Sequence, residues 1–158
     1  MLKNFIIPVA SLFILSAFTF SVGSHTISGQ ISFPGEGEIY VYLMTQDEHS
    51  QSVAQDEHTG NLWMSPRFLI IRPTPEQYLS GRAPFKFEGI PQGEYYIDCY
   101  QDGNANGKLD HRAAGSTAAP QYNPAEPWGT YRNTPWGGWY DLKFEVREDL
   151  SDVSIRIG

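Results

Sequence analysis

Short segments in which apolar and polar residues alternate recur along this chain, and they constrain its fold more than any other feature. Successive side chains of a β-strand point to opposite faces, so alternation gives a strand with one apolar face. Turns rich in glycine and proline separate the segments, and no stretch after the first 24 residues shows a helical apolar period. We expect an all-β fold, a seven-strand antiparallel β-sandwich. The predicted strands are 25–33, 38–45, 67–72, 85–87, 94–101, 142–146 and 153–157.

Three further expectations concern how these strands are connected. The turn at 34–37 is short, so the first two strands should form a hairpin. The strand at 94–101 should be central and should direct alternate residues into the core. Residues 46–66 are polar and repeat the tetrapeptide Gln-Asp-Glu-His, which we interpret as a solvated loop. The predicted core face of the central strand carries Tyr95, Ile97 and Cys99.

The start of the chain has the features of a secretory signal peptide. Lys3 precedes an uncharged apolar run from Phe5 to Phe20, and small residues follow. The run is interrupted by polar residues and is short for a membrane span of about 20 residues. We therefore expect cleavage after Gly23 or Ser24, export to the periplasm or beyond, and no stable membrane insertion of the mature chain. The domains are then a signal peptide at 1–24 and one β-sandwich domain at 25–158.

The charge of the mature chain restricts its partners. Removing the first 23 residues takes away only Lys3, which leaves 10 basic and 18 acidic residues, a net charge of 10 − 18 = −8. Nucleic acids and anionic membranes are poor partners for such a surface. Cys99 is the only cysteine, so no intrachain disulfide can form and stability must come from the core or from an ion.

Oxygen-bearing side chains occupy every second position at the start of segment 102–110. The spacing matches an EF-hand calcium loop, with Gly107 as the glycine of the sharp turn. The twelfth position is Ala113, so the usual bidentate carboxylate is missing. A calcium ion would bind weakly and would need water or an acid from another segment. Alternatively, the Asx side chains bond to their own backbone in a metal-free turn. The candidate calcium ligands are Asp102, Asn104, Asn106, Asp110 and the backbone oxygen of Lys108.

Residues 87–110 carry a resemblance to a known family. The stretch Phe-Glu-Gly-Ile-Pro-Gln-Gly-Glu-Tyr at 87–95 precedes Asp-Gly-Asn-Ala-Asn-Gly-Lys-Leu-Asp at 102–110. This pattern resembles an uncharacterised family of exported bacterial β-sandwich domains, related in fold to prealbumin-like and carboxypeptidase-regulatory-like modules. The resemblance implies a seven-strand, immunoglobulin-like or prealbumin-like Greek-key sandwich with no known catalytic activity. The chain departs from the pattern at Gly103, which is often acidic in the family, and in the insert at 46–66.

The segment after the acidic loop is long and rich in aromatic residues, which suggests a second function. Exposed indole and phenol rings can form a platform for a carbohydrate or a peptide, so a glycan or protein partner is an alternative. The same rings could instead pack back onto the sheets, because so long a loop needs apolar contacts of its own. The candidate ligand-binding residues are Trp128, Tyr131, Trp136 and Trp139.

No catalytic motif occurs in the chain, so we expect a non-catalytic exported module. A third hypothesis is a copper-dependent oxidase. If cleavage follows Ser24, the amine and ring of His25 could chelate copper, with His49, His58 or His111 completing the site. Cleavage after Gly23 would abolish this chelate.

Overall fold

A computed structural model describes residues 24–59, 65–111, 124–132 and 138–158, with backbone only at 53–59. Within these ranges the chain is mostly β, in agreement with the predicted class, and it forms eight strands and three helices. The strands are β1 (Ser24–Ser32), β2 (Glu38–Met44), β3 (Phe68–Ile71), β4 (Arg82–Pro91), β5 (Gly93–Asp102), β6 (Trp128–Thr130), β7 (Phe144–Val146) and β8 (Leu150–Arg156). The helices are α1 (Gln46–Thr59), α2 (Pro75–Ser80) and α3 (Trp139–Leu142).

None of the described helices has the length and apolar character needed to cross a membrane. The predicted signal peptide falls on residues outside the described ranges, except for Ser24, which begins β1.

The strands form two sheets, and their pairing corrects two expectations. One sheet has the order β4-β1-β8, and β1 pairs antiparallel with β4 but parallel with β8. The other has the order β3-β2-β5-β6 with antiparallel pairs, and β7 pairs with the first residues of β5. The fold is therefore mixed, with eight described strands where seven antiparallel ones were predicted. The predicted opening hairpin is wrong, because β1 and β2 belong to different sheets and the turn at 34–37 carries the chain between them.

One apolar core fills the space between the two sheets. The predicted inner face of β5 is confirmed, because its three residues are at most 4% exposed. The Cys99 thiol donates to the carbonyl oxygen of Gly129 at 3.1 Å, and burial raises its pKa well above 9.0, so it remains a protonated core group. The buried members that face each other across this core include Ile27, Ile31, Phe85, Phe87, Val153 and Ile155 from the first sheet, and Ile39, Val41, Leu43, Tyr95, Ile97 and Cys99 from the second.

Much of the opposite face of β5 is also buried: Tyr96 and Tyr100 are at most 5% exposed, whereas Glu94 is exposed. The Tyr40 and Tyr100 rings stack with centroids 5.0 Å apart and planes only 3° from parallel. Tyrosine can fill such a layer because its ring is apolar and its hydroxyl can reach a polar edge. β5 therefore has no polar face turned wholly to solvent. The buried members of this second cluster are Tyr42, Met44, Tyr96, Tyr100, Leu109, Trp139 and Leu142.

Helix α1 occupies most of the segment that was interpreted as a solvated loop, and this interpretation is wrong for 46–59. The carboxylate of Glu48 accepts from the Thr45 backbone N–H at 2.8 Å and forms an ion pair with Arg67. The His49 ring lies 4.5 Å from the Tyr96 ring, measured between centroids. The helix is thus attached through polar contacts and one imidazole ring. Because it has no apolar stripe, its sequence shows no helical apolar period.

Strand β6 joins the two sheets along one edge. Its residues pair with β5, and the Gly158 N–H donates to the Trp128 carbonyl oxygen at 3.1 Å. A backbone bridge links Tyr131 to Ile155 in β8. A Cβ atom added at Gly129 would lie 2.1 Å from the Arg156 carbonyl oxygen, so only glycine allows this approach.

We expect Gly29→Ala to destabilise the protein strongly. Gly29 lies where the β1–β8 register shifts, and an added Cβ would lie 1.8 Å from the Val153 carbonyl oxygen. Forcing the strands apart should cost about 3 kcal/mol in the free energy of unfolding. Urea denaturation measures the loss. The control is Gly138→Ala, where an added Cβ meets nothing within 4 Å and the cost should stay below about 1 kcal/mol. Equal midpoints for the two variants would contradict this account.

Candidate functional site

Strand β5 ends at Asp102, whose side chain organises the acidic loop that follows. Asp102 is 1% exposed, and its two carboxylate oxygens accept from the backbone N–H groups of Asn106 at 3.1 Å and Gly107 at 2.7 Å. Gly107 has φ = 75°, in the left-handed region where glycine is unstrained. The loop backbone is therefore wrapped around one buried carboxylate. This arrangement brings Asp102, the first predicted ligand, into contact with Gly107, the predicted turn glycine.

The other predicted ligand side chains meet above this carboxylate. The side-chain oxygen of Asn104 accepts from the Asn106 N–H at 3.1 Å, and that of Asn106 accepts from the Lys108 N–H at 2.9 Å. The two amide nitrogens donate to the Asp110 carboxylate, at 2.6 Å from Asn104 and at 2.9 Å from Asn106. The segment thus brings the predicted residues together, in a pattern of hydrogen bonds that a metal-free Asx turn would also show.

Glu126, which was not among the predicted ligands, closes the loop from another segment. Its two carboxylate oxygens accept from the backbone N–H groups of Gly103 at 2.9 Å and Asp110 at 3.2 Å. The Ala125 N–H donates to the Asp110 carbonyl oxygen at 2.7 Å. One side chain therefore spans both ends of the loop. No local pattern in the sequence points to it, since 16 positions separate it from Asp110.

The charge environment of Glu126 is unfavourable for its ionised form. Partial burial raises its pKa above the usual 4.5, and the nearby charges of Asp102 and Asp110 raise it further. The two backbone hydrogen bonds act in the opposite direction without cancelling these effects. The loop therefore holds acidic groups that repel one another at neutral pH.

The loop rests on a rigid base formed with the turn at 34–37. The Gln101 side chain is 1% exposed, donates to the Gly35 carbonyl oxygen at 2.7 Å and accepts from the Gly35 N–H at 3.2 Å. Gly37 has φ = 122°, and an added Cβ there would lie 2.1 Å from the Asp102 carbonyl oxygen. The two connections are thus locked together directly beneath the acidic loop.

The described residues contain no group of three or more His, Cys, Asp or Glu side chains arranged to hold a metal ion. The carboxylates of Asp102, Asp110 and Glu126 surround the loop, but each binds a different part of it and they share no common centre. Calcium would have to take the place of the amide donors at Asp110. The distances as they stand fit the metal-free alternative.

The aromatic candidates lie against the sheets. Trp139 is 7% exposed and belongs to the second cluster, and Trp128 is half-buried beside it. Tyr131 packs edge-on against Phe144, with centroids 5.0 Å apart. Trp136 lies outside the described residues. These positions favour the packing alternative over an exposed platform for a carbohydrate or peptide.

The histidines of the copper hypothesis have separate surroundings. The Nδ1 atom of His25 lies 3.8 Å from a carboxylate oxygen of Asp149, whereas His49 lies against aromatic rings. The His58 side chain is outside the described part, and His111 forms a backbone bridge with Pro124. The described contacts lend the copper site no support.

Comparison of the chain with protein-family models, curated proteins and solved structures finds no match in any of the three.

We expect Asp102→Ala to cost about 3 kcal/mol of stability in chelator, because two backbone N–H groups lose a charged acceptor. Asp110→Ala should cost less than about 1 kcal/mol under the same conditions, since its carboxylate side chain accepts from exposed amide side chains. Urea denaturation of both variants with chelator present measures the difference. A loss for Asp102→Ala no larger than that for Asp110→Ala would show that Asp102 does not organise the loop.

We expect Glu126→Gln to change the pH dependence of stability. The raised folded-state pKa of Glu126 means that its contribution is fully present below the usual 4.5 and is lost as pH rises through the folded-state value. Glutamine does not ionise. The melting temperature of the wild type relative to Glu126→Gln should therefore fall from pH 4 to neutral pH, measured in chelator. A difference that is constant or rises with pH would contradict the assignment.

Proposed function

We propose that this protein is a non-catalytic exported module in which calcium bound at loop 102–110 stabilises the fold. The observation that carries the proposal is that three carboxylates, those of Asp102, Asp110 and Glu126, all bind groups of one short loop, each at a different part of it. Lys108 is the basic residue of the loop itself, and it is exposed to solvent. Burial is the main cause of the raised Glu126 pKa, and repulsion from Asp102 and Asp110 adds to it; a divalent ion would relieve that repulsion.

Glu126 would supply the carboxylate ligand that an EF-hand loop carries at its twelfth position. The sequence has no acid at the twelfth loop position, and a carboxylate from the segment before β6 reaches both ends of the loop instead. Hard cations such as calcium take carboxylate, amide and backbone carbonyl oxygens together. Rotating the Asn104 and Asn106 amides would present oxygen in place of N–H toward Asp110. The ligands would then be the five predicted residues together with Glu126.

The fold belongs in our proposal to the β-sandwich class that the resemblance implies, of immunoglobulin-like or prealbumin-like type. The single core shared by two facing sheets supports this assignment. The parallel β1–β8 pair and the additional strand β6 are departures from a seven-strand antiparallel design. The lack of catalytic motifs and the burial of Cys99 support a non-catalytic role.

We expect calcium to raise the melting temperature. A ligand that binds only the native state adds RT ln(1 + [L]/Kd), so about 10 mM calcium with a Kd near 10⁻⁴ M adds about 2.7 kcal/mol. This corresponds to several degrees of melting temperature by calorimetry. Magnesium should substitute poorly, because it demands a smaller octahedral shell.

Matched carboxylate-to-amide variants make the test specific. Asp110→Asn and Glu126→Gln should each remove most of the calcium-dependent rise. Asp152→Asn is the control, because Asp152 is exposed, lies in β8 and has φ = 62°, a conformation that asparagine also tolerates. The control should keep the full rise. Equal melting temperatures in calcium and in chelator for the wild type would leave loop 102–110 as a metal-free turn.

A further inference from the structure

Helix α2 displays an apolar side chain to solvent at the end of the molecule that carries the acidic loop. Leu79 is 91% exposed, and none of the six residues of α2 is buried. Single exposed leucines are common, so exposure alone decides nothing. Three further features indicate a binding surface: the rigidity of α2, the groove beside Leu79 and the charges around that groove.

α2 is rigid although it buries no apolar face of its own. A capping box joins Thr74 and Gln77, with Thr74 N–H donating to the Gln77 side chain at 2.9 Å, and Gly81 ends the helix at φ = 61°. The Tyr78 hydroxyl donates to the Gly37 carbonyl oxygen at 3.2 Å, and its ring packs edge-on against Phe33. A six-residue helix is unstable alone, so these contacts hold it in place. The backbone that carries Leu79 is therefore held in place, although its side chain lies in solvent.

A groove of about 960 Å³ runs between α2 and the turn at 34–37. Its apolar wall is formed by Phe33, Pro34, Tyr78 and Leu79, and backbone of the turn forms the opposite side. The groove is open to solvent, and its size suits one or two side chains of an extended segment. An exposed apolar side chain beside such a groove offers apolar area that a partner can bury.

The charges around this groove are mainly acidic. Glu36 lines it, and Glu76 in the first turn of α2 is fully solvated. The acidic loop adjoins the turn, because Gly37 packs against Asp102. Glu38 is already paired with Arg72 at 2.6 Å. The exposed Arg82, which follows Gly81 at the end of α2, offsets one acidic charge, so Glu36 and Glu76 together leave a small negative excess at the groove. A second copy of this chain would set like charges against each other, whereas a basic segment would be attracted.

We propose that the groove formed by α2 and the turn at 34–37 docks a positively charged partner segment that inserts an apolar side chain beside Leu79. This proposal goes beyond the calcium function and does not depend on it, since the groove is present with the loop in its self-bonded form.

A labelled peptide pair tests the proposal by fluorescence anisotropy at low ionic strength. The probe is fluorescein-Lys-Lys-Leu-Phe-Lys-Lys, and its counterpart carries Glu in place of every Lys. The basic peptide should bind the wild type, and binding should weaken as salt is added. Leu79→Ser should weaken it about tenfold, because an exposed leucine becomes buried in the complex. Changing both Glu36 and Glu76 to Gln should weaken binding and reduce its salt dependence.

Tyr140→Ser is the matched control, because Tyr140 is 77% exposed on α3 and does not line the groove. It should leave binding unchanged. Leu79→Gln repeats the measurement if Leu79→Ser shifts the melting temperature. The proposal is overturned if the basic peptide fails to bind at millimolar concentration, if the acidic peptide binds equally well, or if both Leu79 variants bind like the wild type. A wild-type dimer in sedimentation that Leu79→Ser abolishes would assign the groove to a second copy, and would also overturn it.

Discussion

The burial of β5 on its inner face and on much of its outer face is the constraint on which the rest of the structure depends. Its inner face packs in the core between the sheets, and its outer face packs in an aromatic layer under α3 and Leu109. β5 ends at the buried Asp102, and the exposed polar residues of the acidic loop follow directly after it. The site is thus located by the packing of the strand that precedes it.

The base of the loop links three surface features through short backbone contacts. Gln101 binds both polar groups of Gly35, Gly37 packs against Asp102, and Tyr78 donates to Gly37. The acidic loop, the turn at 34–37 and α2 therefore form one rigid end of the molecule. The charges of the loop are therefore held close to the turn and to α2. Their acidic excess would attract both a calcium ion at the loop and a basic segment at the groove.

The loop itself balances two opposing effects. Each carboxylate is fixed by hydrogen bonds from backbone or amide donors, and those to Glu126 favour its ionised form. The same hydrogen bonds bring the carboxylates near one another, and burial and repulsion raise the pKa of Glu126. A bound cation would leave the hydrogen bonding in place and would offset the repulsion between the carboxylates. In the metal-free turn this repulsion remains, and the calcium titration distinguishes the two forms of the loop.

The sequence by itself determined the local features of this protein, and the tertiary structure decided how distant parts meet. Alternation correctly predicted strands and the core face of β5, because side-chain direction along a strand is a local property. Asx spacing left open a calcium loop or a self-bonded turn at 102–110, and Asp102, Asn104 and Asn106 accept hydrogen bonds from the loop backbone. Two helices had overlooked local signals, the capping patterns Thr45 to Glu48 and Thr74 to Gln77.

Four features had no local signal in the sequence. They are the parallel pairing of β1 with β8, the separation of β1 from β2, the role of Glu126 and the burial of Trp139. Each depends on contacts between residues far apart in the chain, such as Gly29 with Val153. The packing of two sheets selects those contacts, and no pattern within a single segment encodes them.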